Sequence, residues 1–181
     1  MSNKTKVAVT AATVISMFGL GFTAGYEGFR SKPYPDVGGV PTVAFGNTKH
    51  PDGRKVKLSD PPVSKKQGVE YLKIHYSKDA KIFNTSLKGV SLSQDEYDLY
   101  ADFAYQFGTG AWSSSSMLKN LKLGKYVAAC NSLVNYRFSR IKKNGNWIKS
   151  DCRLPENWGP NGCKGVWVRQ DARIRKCLGA N

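Results

Sequence analysis

Apolar positions recur at helical spacing through most of the chain, and the first two recurrences open on a polar signal. Ser64 followed by Gln67 makes a capping box, in which each side chain satisfies a free N–H of the first turn. It predicts a helix through about Phe83, with Val69, Leu72, Ile74, Tyr76, Ala80 and Phe83 at apolar positions. Ser93 and Glu96 make a second box, followed at helical spacing by Tyr97, Tyr100, Ala101, Ala104, Tyr105 and Phe107. Gly108 and Gly110 are expected to stop that helix. Residues 115–123 and 125–136 read as two more helices, and residues 166–178 as the last. Residues 28–60 are different. Rich in Gly and Pro, with β-branched pieces such as residues 40–45, they predict a small twisted sheet with tight turns, ended by Pro61 and Pro62. Residues 139–164, with Pro155, Pro160 and several Gly and Asn, read as irregular. The expected class is α+β. An N-terminal helix over 1–26 precedes a small β-rich lobe over 27–62. A connecting helix over 63–88 leads to a helical lobe over 89–181 that carries the insertion at about 139–164.

Residues 7–26 carry no charge and follow Lys4 and Lys6. At roughly 1.5 Å per residue such a run reaches about 30 Å, the thickness of a bilayer core. Eleven of the 20 are Gly, Ala, Ser or Thr, so the run is only weakly apolar. Four readings stand: a cleaved signal peptide, a permanent anchor, a signal anchor that inserts and later leaves the bilayer intact, and a buried core helix. The first three put the rest of the chain in the periplasm. Cleavage suits the chemistry poorly, because it removes the helix that should hold Glu27.

Charge and cysteines narrow the partners. With 28 Lys and Arg against 13 Asp and Glu, the formal charge is +15, which draws the chain to polyanions. Nucleic acid, an anionic membrane and the acidic bacterial envelope all qualify. No recognised nucleic-acid motif is present, so no specific nucleic-acid partner is expected. None of the four cysteines forms a C-x-x-C pair and there are two histidines, so no metal site and no cofactor are expected. In an oxidising compartment four cysteines read as two disulfides with three possible connectivities, and in a reducing one as buried thiols.

One segment carries chemistry: Glu27-Gly-Phe-Arg-Ser-Lys-Pro-Tyr-Pro-Asp36-Val-Gly-Gly-Val-Pro-Thr42-Val-Ala-Phe-Gly46. A carboxylate at a helix end precedes a second in a Gly-rich turn and a Thr in a strand. Glycosidic cleavage needs an acid to protonate the leaving oxygen and a second carboxylate to stabilise positive charge or activate water. A strand Thr can hold that water. Two acids nine apart, as Glu27 and Asp36 are, occur in many chains, so surface carboxylates beside a β-favouring Thr are the alternative.

The segment resembles the active-site signature of the phage-type lysozymes, glycoside hydrolase family 24, in which Glu, Asp and Thr are separated by eight and five residues. Glu27, Asp36 and Thr42 match without a gap, and Gly28, Arg30, Lys32, Tyr34, Gly39 and Gly46 fall on common family positions. The resemblance covers about residues 26–138 and 165–178. It implies a two-lobed fold, with a small antiparallel sheet lobe joined by a long helix to a helical lobe. It also implies hydrolysis of the β-1,4 bond between N-acetylmuramic acid and N-acetylglucosamine of peptidoglycan. Glu27 is then the general acid, Asp36 the base or electrostatic stabiliser, and Thr42 the residue that positions water. Sugar contacts map onto Tyr105, Ser115 and Asn131, for which packing and helix capping are the alternative. Members with a weak N-terminal anchor imply a Cys130–Cys177 pair, leaving Cys152 and Cys163 to staple the insertion, which the smallest members lack. The family usually has Gly-x-Gly-His-Thr where this chain reads Ala44-Phe45-Gly46-Asn47-Thr48, and Asn47 can replace one donor of the missing His.

The expectation is a monomeric endolysin, tethered to the host inner membrane by residues 7–26 and then released into the periplasm, that lyses the host to free phage. A lytic transglycosylase and a non-catalytic, cationic membrane-permeabilising protein are the rivals. His50 and His75 read as solvated residues. Trp112, Trp147, Trp158 and Trp167 read as packing, with stacking on sugars as the alternative. Arg169, Arg173, Arg175 and Lys176 read as the solvated basic face of the last helix. Glu27 directly follows the anchor, so the tethered form is expected to be inactive until the membrane potential collapses.

Overall fold

The computed structural model describes residues 5–36 and 39–181. Lys4 of the N-terminal basic flank lies outside the described residues, as do Val37 and Gly38 of the motif.

Residues 7–26 do not form one helix. β1 (Val7–Ala8) pairs antiparallel with Leu92 and Ser91, a turn follows at Thr10–Thr13, and α1 occupies Met17–Glu27. The break is written at Ser16, an N-cap whose Oγ accepts from Gly19 N at 3.1 Å. Asp98 Oδ1 accepts from Ser16 N at 2.9 Å, and its other oxygen accepts from the Ser16 hydroxyl. Side chains of the body thus take the polar groups of the segment. Asn84 donates to Thr13 O at 2.8 Å and Tyr97 to the same carbonyl at 3.0 Å. Gly19 is required here, since a Cβ would lie 2.6 Å from Asp98 Cγ. Among the described residues no helix is long and apolar enough to cross a membrane.

β2 (Arg30–Pro35) and β3 (Pro41–Ala44) form an antiparallel pair, with Tyr34 opposite Thr42 and an irregularity between Arg30 and Tyr34. α2 (Lys65–Ser86) leaves this lobe through the Ser64–Gln67 capping box and packs on it at Gly68, where the Phe29 and Phe45 rings stand 3.0 Å from a would-be Cβ. β4 (Ser91–Leu92) leads into α3 (Gln94–Ser113), opened by the Ser93–Glu96 box with Asp95 and Glu96 in its first turn, where the helix dipole favours acids. Gly108 leaves helical geometry, with φ 85° and ψ 155°, so the first helical run of α3 ends there as expected; a second run continues across the kink to Ser113, and Gly110 lies within it rather than stopping it.

α3 is the axis of the helical lobe. Trp112 is fully buried among Phe83, Tyr100 and Phe103, with ring centroids 5.0, 5.3 and 6.3 Å away, and its indole N–H donates to Ser86 Oγ at 2.8 Å. α4 (Ser116–Lys122) and α5 (Tyr126–Ser132), followed by a 3₁₀ turn over Leu133–Tyr136, cover it with Met117, Leu121, Ala129 and Leu133.

The insertion is not irregular throughout. β5 (Phe138–Lys143) and β6 (Asn146–Asp151) form a six-residue antiparallel hairpin. Its turn is Asn144–Gly145, both at positive φ (49° and 83°), a pair that favours the turn matched to strand twist. A loop closed by the Cys152–Cys163 disulfide then reaches α6 (Lys164–Gly179), which the Cys130–Cys177 disulfide ties to α5.

Candidate active site

Glu27 is the last residue of α1, and Gly28 follows at a φ of 69°, turning the chain into β2. The Glu27 side chain is about a quarter exposed and opens on a cleft of about 430 Å³ bounded by Gly46, His75, Tyr105, Gly165 and Arg169. Oε1 accepts from Arg169 Nη1 at 2.6 Å. Oε2 lies beside Gly46, where an added methyl would stand 3.9 Å away, and both residues line the cleft. A separate, mostly apolar pocket of about 340 Å³ lies behind His75 and Tyr105, and Glu27 is not among its walls.

Beneath the cleft lies a buried charge network. Asp102, fully buried on α3, accepts from Arg169 Nη2 at 2.6 Å, Arg173 Nε at 2.7 Å and Thr23 Oγ1 at 2.6 Å. Two carboxylates, Glu27 and Asp102, thus meet two guanidiniums, Arg169 and Arg173. Burial alone pushes the Asp102 carboxyl upward, but the charge of Arg173 and the hydrogen bonds of Arg169 and Thr23 outweigh it and hold it below the usual range. Burial lowers Arg169 as well, yet Asp102 and Glu27 together raise it. Thr23 also meets Tyr76 Oη at 2.5 Å, which binds α1, α2, α3 and α6 into one support.

Arg169 and Arg173 are therefore not the solvated face of α6. Four residues apart, they share a helix face, and Asp102 turns that face inward; Arg175 and Lys176 stay outside. His50 is not solvated either, since its ring bonds Tyr71 Oη at 2.7 Å and Asp60 at 2.8 Å. His75 is exposed on α2, as expected, and also borders the cleft, its ring 4.5 Å from that of Tyr105. Among the tryptophans, Trp147 is 60% exposed and does not pack.

Asp36 and Thr42 stand at the far end of the β2–β3 pair from Gly46. Asp36 is exposed and its Oδ1 accepts from Val40 N at 2.8 Å. Thr42 is buried and donates its hydroxyl to Val40 O at 2.9 Å, so both converge on one backbone unit. Tyr105 lines the cleft and donates to Phe45 O at 3.3 Å. Ser115 is buried and caps α4, accepting from Leu118 N at 3.1 Å, while Asn131 is exposed on α5. Neither borders the cleft at Glu27. Asn47 is buried with an unpartnered Oδ1 and does not border it either. Among the described residues no cluster of His, Cys, Asp and Glu could hold a metal ion.

The model of the family described as phage lysozyme matches residues 24–149. The chain belongs to the phage lysozyme family. The match runs past residue 138 into the hairpin, further than the motif resemblance suggests. An endolysin of Salmonella phage P22 is 32% identical over 113 residues, covering 61% of this chain and 75% of its own length. A SAR-endolysin of Bacteriophage PS119 is 29% identical, covering 75% of this chain and 77% of its own. A crystal structure of P22 lysozyme superposes with a TM-score of 0.70 at 25% identity, over 92% of this chain and 99% of that one. Family membership makes the chain a glycoside hydrolase, an endolysin-type muramidase with the two-lobed α+β fold.

Proposed function

We propose that Glu27 is the general acid, Asp36 the base or charge-stabilising carboxylate, and Thr42 the holder of the attacking water. The bond attacked is the β-1,4 link between N-acetylmuramic acid and N-acetylglucosamine. The observation that carries this is the divided environment of Glu27. Arg169 fixes one carboxyl oxygen, and the other lies beside Gly46, which lines the cleft. A protonated Glu27 gives its proton from that second oxygen to the leaving glycosidic oxygen, and water adds to the sugar carbon with its own proton passing to a base. Thr42 gives its hydroxyl hydrogen to Val40 O, which leaves its oxygen lone pairs to accept from a water. Tyr105 supplies an aromatic wall for a sugar ring; Ser115 and Asn131 are assigned to more distant sugar contacts.

The N-terminal segment fits a tether that later folds back. Its weak apolarity is supported by a folded position in which α1 contributes both Glu27 and Thr23 to the site. SAR-endolysins stand among the relatives, and two disulfides suit an oxidising periplasm. While residues 7–26 lie in the inner membrane, Thr23 is absent from Asp102 and the site is incomplete. Product analysis tests the chemistry: the purified chain should release free reducing muramic acid ends from peptidoglycan, and Asp36→Asn should cut the rate at least tenfold. Anhydro-muramic ends would contradict it and assign a transglycosylase.

A further inference from the structure

The β5–β6 hairpin carries a face that the fold does not use. Strand alternation puts Ile141 and Ser150 inward, both buried against the Cys152–Cys163 loop, with Lys143 donating to Asn157 Oδ1 at 2.6 Å on that side. Arg140, Lys142, Trp147 and Lys149 point the other way, and all four are exposed. The register sets Arg140 directly opposite Lys149 and Lys142 directly opposite Trp147. Like charges directly opposite each other in a ladder are destabilising. Among the described residues no carboxylate forms an ion pair with Arg140, Lys142 or Lys149. The acid on this face, Asp151 at its base, is already held by Arg153 at 2.7 Å and Arg137 at 3.0 Å. Lys149 Nζ lies 5.0 Å from the Phe138 ring centroid, and among the described residues no ion pair or other cation–π contact offsets the Arg140–Lys149 repulsion or covers the exposed indole.

We infer that this face is a docking surface for the peptide-bearing glycan of the cell wall, held outside the cleft. The inference rests on the muramidase reading. Peptidoglycan combines flat sugar faces, which stack on an indole, with stem-peptide carboxylates, which pair with guanidinium and ammonium groups. A cationic face with one aromatic residue matches both parts. The hairpin is also tied covalently to an element that forms cleft wall. The Cys152–Cys163 disulfide ties the end of β6 to the residue before α6, and Gly165 in the first turn of α6 forms cleft wall beside Arg169. One polymer can then be cut at Glu27 while a neighbouring stretch is held by the hairpin.

The test uses the full, oxidised chain carrying Glu27→Gln, so that bound wall is not digested. Sedimentation with insoluble sacculi should show that Arg140→Glu with Lys149→Glu weakens binding about tenfold or more at moderate salt. Trp147→Ser should weaken it several-fold. The charge-reversal loss should vanish on glycan stripped of its stem peptides by an amidase. Arg140→Gln guards against misfolding, because it removes the cross-strand repulsion and leaves the Lys149–Phe138 contact: its melting temperature should hold or rise while binding falls. Binding of the charge-reversal variant to intact sacculi within twofold of the parent would overturn the inference. So would an equal loss on peptide-free glycan, or a loss seen only on phosphatidylglycerol vesicles, which would assign the face to lipid. Reducing-end release by the Glu27 form is measured separately, so a failure of the muramidase reading is told apart from a failure of the docking surface.

Discussion

Arg169 Nη1 lies 2.6 Å from Glu27 Oε1 and joins the first helix of the body to the last across 142 residues of chain. The same guanidinium reaches Asp102 at 2.6 Å, so one side chain fixes the cleft carboxylate and neutralises the buried one. This shared use couples the geometry of Glu27 to the buried charge network.

Arg169→Met should cost about 3–5 kcal/mol, because it leaves Asp102 buried with Arg173 as its remaining cation and removes the anchor of Glu27. Arg169→Lys keeps the charge but loses the fork that serves two carboxylates, and should fall between Met and the parent. Urea unfolding midpoints measure both; a Met variant as stable as the parent contradicts the network.

The stability of the chain should depend on pH through Asp102. Its folded pKa lies below its ordinary value of 3.8, so the unfolded chain binds more protons in the window below that value. The contribution is fully present above that window and is lost as pH falls through it. Asp102→Asn should be less stable at neutral pH and should show a shallower decline in acid. Parallel melting curves from neutral pH downward check this, and equal slopes would exclude Asp102 as a source.

The two disulfides should differ in weight. Cys130–Cys177 spans 47 residues and Cys152–Cys163 spans 11. Chain-entropy estimates give about 4 kcal/mol for the first and about 3 kcal/mol for the second. Pairwise Cys→Ala variants should follow that order in denaturant, with the first also loosening α6 and hence Arg169.

Gly19 and Gly21 distinguish the tether from the released fold. A side chain at Gly19 would collide with Asp98 and Ile15, whereas Gly21 has open space around it. Gly21→Leu should strengthen membrane retention and leave the released fold intact. Gly19→Leu should strengthen retention in the same way but destabilise the released fold. Fractionation before and after membrane depolarisation reads the first, and the melting temperature of the soluble form reads the second. Unchanged release of Gly21→Leu contradicts the tether.

What could be read from the chain was what is local in it. Ser64 with Gln67 and Ser93 with Glu96 mark real helix starts, because a capping box is made within four residues. Asn144–Gly145 carried an equally local hairpin signal that composition obscured, since the Pro and Gly nearby made the whole insertion look irregular. Arg169 and Arg173 were visible as sharing a helix face, but nothing local says that the face meets Asp102. The mid-helix acid at Asp102, among Tyr100, Ala101, Phe103 and Ala104, was the clue to a buried partner. His75 gave none, because its place beside Tyr105 depends on how α2 crosses α3. The uncharged run at residues 7–26 suggested one long helix, and the Ser16 cap with its tertiary acceptor Asp98 divides it instead.

The central claim is that Glu27 delivers the proton. Glu27→Gln keeps the shape of the side chain and can still accept from Arg169, but carries no acidic proton. Reducing-end release from peptidoglycan should fall by about 10²–10⁴-fold, the usual span for general acid catalysis, with a melting temperature near that of the parent. Release at the parental rate by folded Glu27→Gln would contradict the account.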